Sequence, residues 1–404
     1  MNEGYPSDAS RRRRLKREVW GAPRRFRASC ALGLEEILHA EVAALPEVHH
    51  AVARPGEVAF DGAFEAVYAA LLRLRSADTL RLSLGEMPAE TFPMLFDQLT
   101  RLSWPLFLPP RCDLEVRVRS RKSRLRDADG LERTLRKAVA GQGIETRAHG
   151  APRLTVVLEL WRDRAEAWLD AAGEPLHRRW GDKWVARTSL RETTAAAVGL
   201  FASVGNADLV VDPFCGSGTL LLEAADLIDG TCPGGRRPYA LQGSPCFKSE
   251  RMRHAWRRDC VDAEARAASN RAPRPPLLGW DVDADALEAA RANVERAGRT
   301  DQVRLARRDA RELDLPGLAR TVSARMPTIV SNPPYGRRAL AVGGDSGWLL
   351  AEVLRAAPGW RFALVYPVPA HAEAAPGVQV EEVRSVRMRG LRTHLIRGRV
   401  ADGR

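Results

Sequence analysis

The six cysteines of this chain never fall in a C-x-x-C pair. Their scatter over 404 residues argues against a zinc ribbon and against a disulfide framework, and they read as reduced thiols. Cys232, Cys246, His254 and Cys260 follow no common ligand spacing, so no metal is expected. No run reaches the about 18 apolar residues of a membrane span, and the basic N-terminus is not followed by an apolar secretory core. A soluble, cytoplasmic protein with no membrane partner is expected. The chain also lacks internal repeats, and the G-K-[ST] that would close a P-loop.

What is present is positive charge. The net formal charge is +12, and residues 1–27 carry nine Lys or Arg against Glu3, Asp8 and Glu18. Such a surplus favours a polyanionic partner, because neutralised phosphates release counterions. Residues 1–23, which include "RRRRLKR", read as a basic disordered tail. Apolar residues make up 45% of the chain, enough for two or more cores.

From residue 24 to about 172 the pattern is mixed. "LGLEEILHAEVAALP" and "FEAVYAALLRLRSA" have helical period, "TLRLSLGEM" and "DLEVRVRS" alternate as strands, and "RLTVVLEL" with "RAEAWLD" reads as a strand pair. That order suits an α+β module of antiparallel sheet covered by helices. Residues 173–404 change to apolar strands separated by long helices, which implies parallel pairing. A segment rich in Pro, Gly and Arg at about 230–276 interrupts this half and reads as an insertion with one helix.

Three strands of the second half end in acids. "LVVDPFCGSGTLLLEAADLIDG" runs from a buried strand to a helix, with Asp212 at the strand end and Gly216 and Gly218 letting backbone approach a ligand. Leu221 stands where a dinucleotide fingerprint has its third glycine, and Asp212 would repel a pyrophosphate. A cationic or zwitterionic cofactor suits it better. "LLGWDVDADALEAARANVERAG" places Asp281 to accept ribose hydroxyls, with Asp283 or Asp285 capping the next helix, and "VRLARRDARELDL" leads to Asp309, able to accept an adenine amino group. A fourth apolar strand runs into "SNPPYG", in which Pro333 and Pro334 stiffen the backbone around Asn332.

In this order "DPFCGSG", "GWDVD", "RRDA" and "SNPPYG" resemble the class I S-adenosylmethionine-dependent methyltransferases. The resemblance implies a Rossmann-like α/β domain closed by an antiparallel hairpin. It places S-adenosyl-L-methionine against Asp212, Phe214, Gly216 and Gly218, with Asp281 on its ribose and Asp309 on its adenine. It also implies that the Asn332 side-chain oxygen and the Pro333 carbonyl accept the two hydrogens of an amino group, while Tyr335 stacks on the base. A covalent route through Cys215 is disfavoured, since that residue sits inside the cofactor loop.

"DPFCGSGTLLLEAA" followed by "CPGGRR", with "LDAAGEPLHRRW" and "RTSLRETTAAAV" upstream, is similar to the THUMP-domain guanosine-N2 methyltransferases of ribosomal and transfer RNA. Residues 24–172 would then be a ferredoxin-like plus THUMP RNA-binding module. Large-subunit ribosomal RNA is the first expected substrate and transfer RNA the second. A DNA adenine-N6 methyltransferase and a non-catalytic RNA-binding assembly factor are the competing readings. Arg178, Arg179 and Lys183 of "LHRRWGDKWVAR", which also holds Trp180 and Trp184, and Arg119, Arg121 and Lys122 of "VRVRSRKSRL" are the candidate RNA contacts. A monomer is expected.

Overall fold

A computed structural model describes residues 5–179, 190–235, 237–247, 250–269, 274–335, 346–388 and 390–402. They form two compact units, one of Met1–Ser29, His39–Leu176 and Gly234–Val261, the other of Cys30–Leu38, His177–Pro233 and Asp262–Arg404. Among the described residues no helix is long and apolar enough to cross a membrane.

The first unit is built on seven strands, β1 Arg24–Ser29, β2 Val48–Arg54, β3 Glu57–Gly62, β4 Thr79–Pro88, β5 Asp113–Arg121, β6 Arg153–Trp161 and β7 Arg164–Asp170. Their order is β2-β3-β1-β4-β7-β6-β5. The expected strand pair is there, β6 antiparallel with β7, and β2 and β3 form a second hairpin that turns at Gly56, whose φ of 77° suits glycine. One pair departs from the antiparallel expectation. β5 and β6 run parallel because the connection between them carries the helix Ala128–Ala140, long enough to return the chain to the same end of the sheet.

Two sequence readings are corrected in this unit. Residues 8–19 are not a disordered tail but a helix, Asp8–Arg14, continued by a π-helical turn, Leu15–Val19. Leu15 and Val19, four apart and so on one face, are buried, and the Trp20 indole N–H donates to the Cys246 carbonyl at 3.0 Å. The Arg run obscured this short apolar repeat. The second correction concerns the insertion, of which Gly234–Val261 packs in the first unit. Tyr68 meets Phe247 and Trp256 edge-on at 5.2 and 6.0 Å, and the Tyr239 hydroxyl donates to the Leu71 carbonyl at 2.9 Å. Gly234 lies so close to the 71–72 backbone that a Cβ there would come within 2.1 Å of the Leu71 oxygen.

The second unit holds β8 Leu209–Asp212, β9 Leu277–Asp281, β10 Val303–Arg307, β11 Pro327–Ser331, β12 Arg361–Tyr366, β13 Val378–Met388 and β14 Leu391–Val400. The order is β10-β9-β8-β11-β12-β14-β13. The first five are parallel, and β14 and β13 close the sheet as the expected antiparallel hairpin. Helices Glu192–Phe201, Thr219–Ile228 and Ala284–Arg296 bury Val198, Leu221 and Leu287 in one cluster. Helix Ser346–Arg355 buries Leu350, Val353 and Leu354 with Ile329 and Phe362 in another. A parallel sheet covered on both faces leaves its carboxyl edge as the place for a ligand.

Candidate active site

The order in which the chain adds strands reverses between β8 and β11, which pair in parallel with each other. Asp212 and Asp281 end β8 and β9, Asp309 follows β10 by two residues, and Asn332 follows β11 directly. In-register pairing of parallel strands brings these four to one edge. They line a cleft of about 280 Å³ together with Phe214, Gly216 and Pro334. Gly218, Pro333 and Tyr335, also expected at the site, lie outside its lining.

The loop after β8 is shaped by backbone chemistry. Gly216 and Gly218 have φ of 51° and 79°, and Gly218 precedes helix Thr219–Ile228. A Cβ on Gly216 would meet nothing within 4 Å, so the conformation, not crowding, asks for glycine there. The turn is held by Gly216 N–H donating to Asp281 Oδ2 at 2.9 Å, by Cys215 N–H donating to the Trp280 carbonyl at 2.9 Å, and by the buried Asn293 amide donating to the Ser217 carbonyl at 3.0 Å. Asn293 was not legible as a site residue, because its partner lies 76 positions away.

Asp212 is 1% exposed, and burial pushes its carboxyl up to about 7 in spite of two donors. Ser331 Oγ donates to Oδ1 at 2.6 Å and Phe214 N–H to the same atom at 3.1 Å. Among the described residues Oδ2 receives no donor, so a cation entering the cleft would find an acceptor. Asp281 takes Gly216 N–H on Oδ2 and Asp283 N–H at 3.0 Å on Oδ1, and its carboxyl is also raised by burial. Each oxygen keeps a lone pair for a hydroxyl donor.

Asp283 does cap its helix, accepting from Asp285 and Ala286 N–H at 2.9 and 3.4 Å, and it lines the cleft as well. Asp309 is less free than the sequence suggested. Its Oδ1 accepts both the backbone N–H and the guanidinium of Arg311 at 2.9 Å, and these hydrogen bonds hold its carboxyl below the usual range. Arg308 and Arg311 join the lining, and "RRDAR" around Asp309 was the sequence signal of cations there.

The amide oxygen of Asn332 is buried and accepts no hydrogen bond among the described residues. An unsatisfied buried acceptor costs about 1–3 kcal/mol, which makes it a feature that a ligand N–H would relieve. Tyr335 lies edge-on to Tyr366, with ring centres 6.3 Å apart at 88°. Cys215 is buried and its thiol is pushed well up by burial, with Asp212 and Asp281 adding to the rise. A thiolate nucleophile is thereby disfavoured.

The expected RNA contacts divide. Arg178 is exposed, whereas Arg179 is only 4% exposed and donates to Glu223 of helix Thr219–Ile228 at 2.6 Å. Arg179 is thus a structural ion pair and not an RNA contact, since its guanidinium is spent on a buried carboxylate. Lys183, Trp180, Trp184 and Gly336 lie outside the described residues. Arg119, Arg121 and Lys122 are exposed on or just after β5, with Arg119 3.5 Å from Glu159. Lys122 and Arg162 both lie over the ring of Trp161, which is 48% exposed.

Residues 179–357 match the family described as RMKL-like, methyltransferase domain, and residues 25–79 match the RlmL ferredoxin-like domain. The ribosomal RNA large subunit methyltransferase K/L of Methylococcus capsulatus is 32% identical over 331 residues, 78% of this chain and 42% of its own length. YpsC of Bacillus subtilis is 27% identical over 318 residues, 77% of this chain and 79% of its own. The crystal structure of SMU.472 complexed with SAH superposes with a TM-score of 0.80 at 25% identity, covering 95% of this chain and 99% of that one. The chain spans less than half the length of the K/L relative.

Proposed function

We propose, for a chain that belongs to the RMKL-like methyltransferase family over residues 179–357 and to the RlmL ferredoxin-like family over residues 25–79, transfer of a methyl group from S-adenosyl-L-methionine to the exocyclic N2 of a guanosine in structured RNA. Large-subunit ribosomal RNA is the preferred substrate, in keeping with the name of the K/L relative. Residues 24–172 act as a ferredoxin-like plus THUMP RNA-binding module, and residues 173–404 carry the transfer.

The observation that carries this reading is the buried, unpartnered Asn332 Oδ1 at the end of β11, beside three strand ends that carry acids. The cofactor fits the donor set: Asp212 Oδ2 is open to its ammonium, Asp281 to its ribose hydroxyls, and Phe214 and Val282 offer apolar walls. When bound it supplies an electrophilic methyl group on a sulfonium. The chain's own task is to make a poor nucleophile reactive. A guanine amino group delocalises its lone pair into the ring; Asn332 Oδ1 and the Pro333 carbonyl, by accepting both of its hydrogens, localise that pair and aim it.

Pro333 and Pro334 fix the acceptors before substrate arrives, so the cost of arranging them is met during folding. Tyr335 sets the height of the base by stacking. As the amino nitrogen takes the methyl group, the S–C bond of the sulfonium would break to leave a neutral thioether, and the nitrogen, now cationic and acidic, loses its proton to solvent without a dedicated base.

The test is incubation of the protein with methyl-labelled S-adenosylmethionine and total RNA, followed by nucleoside mass spectrometry. Label in N2-methylguanosine is expected. Label confined to adenine or to DNA would overturn the reading.

A further inference from the structure

The cationic segment that precedes the matched ferredoxin-like residues is a folded part of the first unit. We propose that it forms, with Arg253, a binding surface for the phosphodiester backbone of the substrate RNA. This rests on the RNA-methyltransferase reading above and adds to it a site outside residues 25–79.

The surface is a cleft of about 900 Å³ lined by Arg11, Arg12, Arg13 and Lys16 of the N-terminal segment and by Glu250 and Arg253 of helix Glu250–Ser269. Its helix is held in place from beneath. Leu15 and Val19 are buried, Tyr5 donates its hydroxyl to the Leu108 carbonyl at 3.0 Å, and the Trp20 indole N–H is tied to the Cys246 carbonyl. A cation run on an anchored helix presents its charges with little ordering left to do, whereas on a floating tail each ion pair would cost chain entropy.

The charges divide by whether they are already used. Arg14 and Arg17 share Glu18, at 3.0 and 2.6 Å, and those hydrogen bonds hold its carboxyl down at about 2. Arg11 pairs with Asp8. Arg12, Arg13 and Lys16 are exposed and have no acidic partner among the described residues, and Arg253, also exposed, lines the same cleft from a second helix. A fold that pairs the cations at the base of the helix and leaves its outer ones open has an excess of positive charge facing the cleft. Asp8 and Glu250 are the acids that line it, so cations outnumber acids there.

That excess suits a line of phosphates better than a compact anion, because the open cations are spread over more than one helical turn and face a cation on a second element. Tyr5 and Trp20 also line the cleft and offer aromatic surface to an adjacent base.

The test compares wild type with Arg12→Gln/Arg13→Gln/Lys16→Gln/Arg253→Gln and with a milder Arg12→Gln/Arg13→Gln variant, all in the full chain. Binding of an in vitro transcribed large-subunit RNA fragment is measured against salt, with S-adenosylmethionine affinity and melting temperature as controls. The fourfold variant is expected to bind RNA at least about tenfold more weakly at low salt, with a salt slope shallower by about 0.7–0.9 for each phosphate that is no longer neutralised. The twofold variant should fall between, and both should keep cofactor affinity and melting temperature. Unchanged RNA affinity and slope in folded variants overturn the surface while leaving the methyltransferase reading intact. A wild type that neither binds nor methylates RNA overturns both.

Discussion

Ser331 Oγ donates to Asp212 Oδ1 at 2.6 Å, joining the last residue of β11 to the last residue of β8. The bond links the two halves of the proposed chemistry, since Asp212 is the residue proposed to face the cofactor and Ser331 directly precedes Asn332. A buried carboxylate with one oxygen fixed and the other open is a directional acceptor for a cation.

The pH dependence of cofactor binding follows. Burial raises the Asp212 carboxyl to about 7, so the proton that the folded protein holds contributes stability fully below about pH 4 and loses that contribution as pH rises through about 7. An ammonium group prefers the ionised form, so S-adenosylmethionine affinity should rise between about pH 6 and 8. Calorimetry across that range checks it. In parallel, the melting temperature of the apo protein relative to Asp212→Asn should fall as pH rises toward 7. A flat affinity profile would show that Asp212 does not face the cofactor's charge.

Asn332→Ala should slow single-turnover methyl transfer by about 100-fold or more, the scale seen when a preorganised polar partner of a transition state is removed. Cofactor affinity should stay within about twofold, since the partners of Asp212 and Asp281 do not include this side chain. Stability should not fall, because the deleted oxygen is an unsatisfied one. Rapid-quench measurement with excess enzyme separates the chemical step from binding.

Much of this site was legible because an acid at the end of an apolar strand is a local pattern, and parallel pairing carries it to one edge without further information. Asp212 and Asp281 were placed in the cleft in that way, and Asn332 by the two prolines that follow its strand. What was not legible depended on partners distant in sequence. Arg179 looked like its exposed neighbour Arg178 until Glu223, 44 positions on, buried it. Gly279 looked like an ordinary strand glycine, yet a Cβ there would come within 2.5 Å of Leu221 Cδ1 and 2.7 Å of Leu305 Cδ2, so it sets how closely helix Thr219–Ile228 approaches β9. The N-terminal helix was hidden for a compositional reason, its two buried apolar residues standing beside the six cations of residues 11–17.

The pair Arg178 and Arg179 separates an exposed from a structural arginine. Arg179→Ala would leave Glu223, which is fully buried, without its guanidinium partner, and should destabilise the protein by about 3–5 kcal/mol. Arg178→Ala, at an exposed position, should cost no more than about 1 kcal/mol, the scale of a solvent-screened surface interaction. Urea denaturation of the two variants decides it, and equal stabilities would deny the ion pair any part in holding the fold.

Tyr335 offers the remaining contrast. Its ring meets Tyr366 edge-on, and the Tyr366 hydroxyl lies 3.3 Å from His371 Nδ1, so the ring is backed by a fixed aromatic partner on β12 and not by open solvent. If it stacks on the target base, the face of the ring matters and its hydroxyl does not. Tyr335→Phe should therefore keep kcat/KM for RNA within about threefold, while Tyr335→Ala should lose about 1–3 kcal/mol of base stacking, roughly 5- to 160-fold in kcat/KM. Calorimetric affinity for the cofactor should match wild type in both, because Tyr335 does not line the cleft that holds Asp212 and Asp281. Steady-state kinetics with a short RNA substrate distinguish the cases. Equal losses in the Phe and Ala variants would assign the work to the hydroxyl and reject the stacking role.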